Sequence, residues 1–410
     1  MTATIPPDTR AEGQGGHIAD HNNMSDVLTA LNNGAMRAVA LTPWFAGLSN
    51  RLASRCDVAC IGDSITEGQH ATGTGTSPLG FDNAWRARLK DLLRSRYPTP
   101  GFAGGGRGFI GVATTGESSF TWPATIAGTP APASATTLGP KGYFINLANG
   151  TQTVTFPLVG DSFDINYCQV FGGGTGYYTI NGGSPVTFST SGTTTDGQVL
   201  HVSLPVPGAN TVVVGWSSGS TVSVEGVTEY YGDHACGIQV HDCGHYGWTA
   251  GNWVTALNGG SSQNAAAAIA ALSPNLVIIT LGVNDQFTGT TPSAFQSNLQ
   301  AIISDLKARL TAPYPSFALN MLPPRSGQST PYAFPWASYV NAAYNVAAAD
   351  SSGPGGVSIV TVNDFTAGPR MPGADTDAYG FWQSGDAVHP GNLGHQMIAD
   401  SLAQFLSQQP

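Results

Sequence analysis

Four polar residues, widely separated along the chain, have the types that nucleophilic catalysis uses. The first, Ser64, follows the apolar run 58–61, which predicts a buried strand, and it lies between Gly62 and Gly68. A serine on a tight turn after a strand can expose its hydroxyl and keep its backbone N–H free. A Gly-Asp-Ser tripeptide alone is more often an ordinary turn, so the interpretation depends on partners elsewhere in the sequence.

Those partners occur downstream of the serine. Gly247 lies in a Gly-His-Tyr-Gly-Trp-Thr stretch, and Asn284 comes shortly after a second apolar run that predicts a strand. Near the C-terminus, His389 follows Asp386 by three residues. Each block alone has a plain structural interpretation, such as an Asx turn at Asn284. Their occurrence together favours a catalytic site.

Ser64, Gly247, Asn284 and His389 together resemble the sequence blocks of the SGNH (GDSL-type) hydrolase family. The resemblance covers about half of the chain, on both sides of a central segment. The serine, asparagine and Asp-x-x-His blocks match closely. The glycine block is looser, and Gly247 is assigned there in preference to Gly244. The resemblance implies a three-layer α/β sandwich around a parallel sheet, and the chemistry of a serine esterase.

The family also implies a catalytic triad. A serine hydroxyl is a poor nucleophile at neutral pH and needs an adjacent base, for which His389 is the candidate. Asp386 would then bind the second imidazole nitrogen, fix the tautomer and stabilise the imidazolium that forms. His70, just past the serine block, is another candidate base. His389 is preferred because only it has an acidic residue at the family spacing.

The tetrahedral intermediate needs hydrogen-bond donors for its oxyanion. In the family pattern these are the Ser64 N–H, the Gly247 N–H and the Asn284 side-chain amide. Each donor of this kind can be worth ~3–4 kcal/mol of transition-state stabilisation. Asp63 and Asp285 lie beside the serine and the asparagine, and we expect them to hold the loops in place.

Composition limits the class of protein. A chain of 410 residues predicts two or three domains, and only 10 % of its residues are charged, against roughly a quarter in average domains. The 53 glycines and the many Ala, Ser and Thr residues are typical of an extracellular or virion surface. A net charge of −10 argues against nucleic acid as a partner. No apolar run has the length of a membrane span, and the first residues show no secretory signal peptide.

The first segment, residues 1–40, is predicted to serve attachment or assembly. Its Gly-x-Gly-Gly-His-x-x-Asp-His-Asn run, residues 13–22, resembles the N-terminal segments of actinobacterial phage minor tail proteins. A short amphipathic helix is expected after it, at 24–31. The resemblance implies a virion location, other tail proteins as partners and a homo-oligomer, a trimer if the protein is a tail component. The alternative is an ordinary N-terminal arm.

The rest of the chain is predicted to be a hydrolase interrupted by an insert. Its first part spans 41–111 and its second part 232–410. Between them, 112–231 shows short strand patterns and Asn-Gly or Gly-Gly turns, which predict an inserted β-sandwich. The insert resembles the jelly-roll, carbohydrate-binding modules of some SGNH esterases. Trp216 and the tyrosines there could stack on sugars, although core packing is the commoner role. We expect the insert to orient large substrates rather than assist the chemistry.

Strand and helix patterns alternate in the hydrolase parts, which implies a parallel sheet with helices packed against it. Besides 58–61, the predicted strands are 276–281, 317–321 and 357–362. The predicted helices are 83–97, 292–310, 336–349 and 391–407. In open parallel sheets the ligand binds beyond the carboxyl ends of the strands, where the serine and asparagine blocks fall.

Two further features of the sequence concern other chemistry, namely a group of potential metal ligands and the cysteines. Potential metal ligands crowd the segment 233–245, but their spacing fits no zinc pattern, so no metal and no cofactor is predicted. The five cysteines include at least one free thiol; Cys56 or Cys60 could pair with Cys236 or Cys243, or they could be small buried hydrophobes.

The sequence therefore predicts a serine esterase that removes acetyl or longer acyl groups from a cell-envelope glycan or lipid, acting as a phage tail component. One alternative is a receptor-binding or structural tail protein with little catalysis. Another is a non-viral carbohydrate acetylesterase. The acyl length, the substrate, the oligomeric state and sugar binding by the insert are not predicted.

Overall fold

The described chain forms two β-sheets with helices packed mainly against the first. The computed structural model describes residues 39–71, 79–99, 104–112, 122–129, 131–132, 139–258, 263–325, 332–350, 355–363, 371–386 and 388–407. The N-terminal segment with its tail-protein motif and predicted helix lies outside these ranges, apart from its last two residues.

The first sheet is parallel and has five strands in the order β11-β1-β12-β13-β14. Its strands are β1 (Arg55–Gly62), β11 (Gly237–Gly244), β12 (Leu276–Thr280), β13 (Ser316–Met321) and β14 (Val357–Thr361). All are buried along nearly their whole length, as expected for a sheet covered on both faces. Strand β11, at one edge, was not predicted.

Ten α-helices occur in the described residues. They are α1 (Thr42–Asn50), α2 (Ser64–Glu67), α3 (Leu79–Asn83), α4 (Trp85–Arg96), α5 (Ala250–Leu257), α6 (Ala265–Ala271), α7 (Val283–Thr288), α8 (Pro292–Arg309), α9 (Trp336–Ala349) and α10 (Asn392–Phe405). A short 3-10 helix spans Ala374–Thr376. None of these helices is both long enough and apolar enough to cross a bilayer.

The helices cover both faces of the parallel sheet. Alternate residues of β1 point to opposite sides: Ala59 and Ile61 join one apolar core, with Trp253 of α5, whereas Val58 and Cys60 join another. The second core also contains Trp44 of α1, together with apolar residues of α4 and α10. The predicted α/β fold, with three layers around a parallel sheet, is confirmed.

The second sheet is antiparallel and has nine strands. Its main path runs β4-β5-β10-β6-β9-β7-β8, with β2 added beside β10 and β3 beside β6. The strands are β2 (Gly108–Gly111), β3 (Thr125–Ala127), β4 (Ala131–Pro132), β5 (Ile145–Leu147), β6 (Thr153–Gln169), β7 (Thr175–Ile180), β8 (Val186–Ser189), β9 (Thr195–Ser218) and β10 (Val222–Tyr230). They share a separate apolar core.

Two strands of this sheet are longer than the sequence patterns suggested. Both β6 and β9 are continuous, although Pro157 and Gly208 interrupt their apolar alternation in the sequence. The pairing between β6 and β9 continues through both positions, with register shifts after Gly160 and Tyr167. The sheet also begins with β2, just before the predicted boundary at residue 112. A jelly-roll sandwich stays a prediction.

All five cysteines carry free thiols, and only Cys236 is not buried. Cys60 and Cys243 lie on the neighbouring strands β1 and β11 without forming a disulfide. The interpretation as small buried hydrophobes holds for Cys56, Cys60 and Cys243 but not for Cys236, and none of the four forms a disulfide.

Candidate active site

Ser64 is presented by a tight turn at the carboxyl end of β1. It is the first residue of the four-residue helix α2, and Asp63 caps this helix by accepting a hydrogen bond from the Ile65 N–H at 2.9 Å. Gly62 is needed for close packing, since a Cβ there would lie 2.0 Å from Thr66 Oγ1. The hydroxyl is thus fixed on a short, well-packed turn, as the sequence indicated.

His389 contacts the serine directly. The Ser64 Oγ lies 2.8 Å from His389 Nε2, and His389 Nδ1 lies 2.9 Å from Asp386 Oδ2. These are ordinary hydrogen-bond distances, and they join the three side chains in the order that general-base activation of a serine requires. Residues separated by 325 positions in sequence are therefore brought together.

Asp386 is held by its own backbone turn. Its Oδ1 accepts hydrogen bonds from the N–H groups of Val388, at 2.6 Å, and His389, at 2.9 Å. Burial by itself would raise the pKa of Asp386, but hydrogen bonds and charge interaction with His389 outweigh it and lower the pKa well below its ordinary value. The carboxylate is therefore ionised at neutral pH and can orient the imidazole.

Three loops meet at one edge because the three strands before them end level. In the parallel register, Gly62 of β1 lies opposite both Gly244 of β11 and Thr280 of β12. The loops that follow carry Ser64, Gly247 and Asn284. Carboxyl ends of neighbouring parallel strands share one edge of the sheet, so the sequence blocks converge.

The predicted oxyanion donors lie in these loops. Gly247 has a φ of +72°, a conformation that favours glycine. Within the described part of the chain, neither its N–H nor that of Ser64 has a hydrogen-bond acceptor. The Asn284 amide donates to the Trp248 carbonyl at 3.0 Å and lies 3.4 Å from Asp63 Oδ2. The amide thereby links the three loops.

Asp63 and Asp285 hold loops, as predicted. Both oxygens of Asp285 accept hydrogen bonds from the Ala250 N–H, at 3.0 and 3.2 Å, at the start of α5. Burial raises the pKa of Asp63 to about 6 and that of Asp285 to about 6, although backbone N–H groups oppose this by stabilising the carboxylates.

His70 does not contact Ser64 and instead binds Asp386. Its Nε2 lies 2.9 Å from Asp386 Oδ2, the oxygen that also pairs with His389. The preference for His389 over His70 as the residue facing Ser64 therefore agrees with the geometry. No pattern in the sequence predicts that His70 reaches Asp386.

A buried charge cluster lies beneath the serine turn, and the insert supplies its lysine. Lys141 Nζ lies 2.5 Å from Glu67 Oε1 in α2 and 3.1 Å from Asp242 Oδ2 in β11. Asp242 also faces the Arg86 guanidinium at 3.3 Å. All four side chains are at most a few per cent exposed, so each charge depends on the others.

The same loop of the insert contacts the glycine block. The Lys141 carbonyl accepts a hydrogen bond from His245 Nδ1 at 2.6 Å, and the His245 ring stacks on Trp248 at 3.6 Å. A Cβ on Gly142 would lie 2.3 Å from the Trp248 ring. The expectation that the insert acts only by orienting large substrates is therefore incomplete, because a loop of the insert also packs against the serine helix and the glycine block.

The potential metal ligands in 233–245 do not converge. Asp233 pairs with Arg94, His241 with Asp57, and Asp242 with Lys141. His234 instead stacks on His201 at 3.8 Å, and both lie near Asp164, in a group of three that is separate from the serine. The sequence segment that suggested a metal is thus divided among several ion pairs.

Comparison with known proteins agrees with this arrangement. Residues 211–397, just under half of the chain, match the GDSL-like Lipase/Acylhydrolase family. That stretch contains Gly247, Asn284 and the Asp386–His389 pair, while Ser64 precedes it. No significant match is found among the curated proteins.

Several solved structures are similar to this chain, to different degrees. A structure described as "Peptidoglycan O-acetylesterase in action, 5 min" superposes with a TM-score of 0.60 at 16 % identity, covering 88 % of this chain and 94 % of the other. A carbohydrate esterase family 2 enzyme from Corynascus thermopiles (Myceliophthora fergusii) has a TM-score of 0.30 at 15 % identity, with 69 % and 98 % covered. A putative lipolytic protein of the G-D-S-L family from Desulfitobacterium hafniense DCB-2 has a TM-score of 0.29 at 14 % identity, with 41 % and 81 % covered.

At TM-scores near 0.3 the last two similarities carry no weight, and the first concerns the fold. The family match and the α/β architecture around the convergent loops confirm the predicted class of enzyme. Residues 211–397 match the GDSL-like acylhydrolases, and the chain is a carboxylic ester hydrolase.

Proposed function

We propose that this protein is a serine esterase in which Ser64 is the nucleophile, His389 the general base and Asp386 the residue that orients it. The observation that carries the proposal is the continuous pair of contacts, 2.8 Å from Ser64 Oγ to His389 Nε2 and 2.9 Å from His389 Nδ1 to Asp386 Oδ2. The proposed reaction needs only the ester and water in addition to these side chains.

The reaction proceeds in two displacements. As Ser64 Oγ attacks the ester carbonyl, His389 Nε2 takes the hydroxyl proton and then gives it to the departing alcohol, which leaves an acyl-serine. Water, activated by the same nitrogen, attacks the acyl carbon, and the acid and the free serine form. Asp386 stays ionised throughout and stabilises the imidazolium.

The oxyanion of each tetrahedral intermediate is bound by the Ser64 and Gly247 N–H groups and by the Asn284 amide. The two backbone donors are free of acceptors among the described residues, which suits them to a charge that develops only during the reaction. One hydrogen of the Asn284 amide binds the Trp248 carbonyl, and the other, which makes the long 3.4 Å contact with Asp63 Oδ2, exchanges that contact for the oxyanion.

The proposed substrate is an acyl ester, foremost an acetyl ester, on a cell-envelope glycan. The described solved structure of similar fold is a peptidoglycan O-acetylesterase by its name, which supports this choice. Two exposed aromatic side chains also belong to the loops of the site: Tyr246 precedes Gly247, and Phe287 lies one helical turn after Asn284. Aromatic faces of this kind suit sugar rings.

A virion location, other tail proteins as partners and a trimeric assembly remain part of the proposal. Their support is the N-terminal motif within residues 13–22 and the low content of charged residues. Mass spectrometry of purified virions tests the virion location. The protein should be recovered in stoichiometric amounts from the particles, and its absence from the particles contradicts the tail assignment.

The function is tested with p-nitrophenyl esters of increasing chain length, followed by purified envelope fractions assayed for released acetate. Ser64→Ala should lower kcat by about 10⁴-fold or more, as loss of a triad member does elsewhere, without loss of fold. Ser293→Ala, at an exposed site on α8, is the matched control and should change nothing. Envelope binding without ester hydrolysis by the unmodified protein would support a receptor-binding role instead.

A further inference from the structure

One carboxylate oxygen of the triad serves two imidazoles. Asp386 Oδ2 lies 2.9 Å from His389 Nδ1 and 2.9 Å from His70 Nε2, and the two ring centroids are 5.4 Å apart. We propose that His70 is a positioning residue that holds Asp386 in the orientation His389 needs. This inference rests on the proposed esterase function and adds a fourth side chain to its machinery.

The direction of the hydrogen bond follows from the chemistry of the partners. An ionised carboxylate only accepts hydrogen bonds, so the proton must lie on His70 Nε2. Burial, together with the nearby His389, lowers the pKa of His70, although Asp386 opposes this. His70 is therefore a neutral donor at neutral pH, with Nδ1 buried and without a partner among the described residues.

The contact completes the hydrogen bonding of Asp386. Its Oδ1 is fixed by the backbone N–H groups of Val388 and His389, whereas Oδ2 is reached only by the two histidine side chains within the described chain. Backbone anchoring at one oxygen leaves the carboxylate plane free to rotate about that anchor. A second side-chain donor at Oδ2 removes this freedom, because both donors must be satisfied at once.

The backbone conformation of His70 supports a functional role for this residue. Its φ is +62°, in the left-handed region that few residues other than glycine adopt. This conformation lies two residues beyond Gly68, the left-handed cap of the serine helix. Unfavourable backbone conformations persist where surrounding contacts require them, and they cluster at functional sites. Here the conformation directs the imidazole to the aspartate.

Among the described residues, the titratable groups that face His70 are Asp386 and His389. His395 binds the Gln69 carbonyl at 3.3 Å, and burial lowers its pKa to about 3, so it stays uncharged.

Two substitutions separate the side-chain contact from the backbone conformation. Asn tolerates left-handed φ but is too short to reach Asp386, whereas Gln places an amide N–H near the position of Nε2 but is less suited to that φ. His70→Asn should therefore lose the contact without backbone strain, and His70→Gln should keep it. Both are assayed with p-nitrophenyl acetate across pH, with melting temperatures to show that they are folded.

His70→Asn should lower kcat between about 10- and 100-fold with little change in KM, since misplacing a catalytic group by about 1 Å costs ~10²-fold. His70→Gln should restore kcat to within a few-fold. Unchanged kcat in folded His70→Asn, or equal impairment in folded His70→Gln, overturns the inference. Ser64→Ala in the same assay separates the two proposals: residual activity there contradicts the esterase assignment itself.

Discussion

Lys141 Nζ lies 2.5 Å from Glu67 Oε1, which joins the inserted segment to the helix that begins with Ser64. Both side chains are almost completely buried, and the lysine also packs over the Trp122 ring at 3.9 Å. A buried charge that loses its partner is costly, because neither water nor another ion replaces it. The stability of the serine turn therefore depends on a residue that is distant in sequence and outside the hydrolase segments.

Replacement of Lys141 by Met should destabilise the protein strongly. Glu67 and Asp242 would lose a common cation, and breaking a buried pair in this way costs about 3–5 kcal/mol in the free energy of unfolding. Urea unfolding followed by circular dichroism measures the change. Lys307→Met is the matched control, since its pair with Asp350 is partly exposed and should contribute less than about 1 kcal/mol. Equal effects of the two substitutions contradict a structural role for the buried lysine.

Replacement of residues 112–231 by a short Gly/Ser linker should abolish hydrolysis of p-nitrophenyl acetate as well as activity on envelope polymer. The deletion removes Lys141 and the loop that contacts Trp248, so the serine helix and the glycine block lose these packing contacts. Phe171→Ala, at a 93 % exposed position of the insert, serves as control and should leave acetate release unchanged. A folded deletion variant with near-normal acetate release would show that the insert is only a binding module.

Asn284→Ala should lower kcat by about 10²–10³-fold, with a smaller effect on KM, because an oxyanion donor acts mainly on the transition state. Steady-state kinetics with p-nitrophenyl acetate give both constants. Asn345→Ala removes an exposed amide that pairs with Gln296 and should have no effect. A raised KM at unchanged kcat would mean that Asn284 serves only to bind substrate or to hold its loop.

The protein should lose stability as pH rises from about 4 to 6, through the contribution of Asp285. Its pKa in the folded state is about 6, above the ordinary value of 3.8, so the folded state binds more protons than the unfolded state in this range. The difference corresponds to about 3 kcal/mol at most. Urea unfolding at pH 4.5 and 7.5 should show a weaker pH dependence in Asp285→Asn.

Asp91→Asn, at an exposed carboxylate on α4, is the control for that experiment and should leave the pH dependence as it is. The opposite sign, with Asp285→Asn steepening the loss between pH 4.5 and 7.5, would show that Asp285 is stabilised as the carboxylate by the Ala250 N–H more than it is destabilised by burial.

Local patterns predict four of the five strands of the parallel sheet. Helix 336–349 was predicted at its observed bounds, and the strands 276–280 and 357–361 within a residue, because buried apolar runs between turn residues leave few alternatives. Strand β11 was missed because Gln239, His241 and Asp242 interrupt its apolar pattern. Those side chains are buried in ion pairs and hydrogen bonds that only the tertiary structure supplies.

The sequence by itself determined which residues could carry the chemistry. Ser64, Gly247, Asn284 and the Asp386–His389 pair each occur in a short sequence block, and the order of these blocks along the chain is informative. Only the tertiary structure decided what surrounds them. His70 reaches Asp386 through a left-handed backbone turn, and Lys141 enters from a loop of the inserted segment. Contacts of this kind depend on how distant segments are placed relative to one another. Neither the hydrophobic periodicity nor the residue spacing within one segment contains that information.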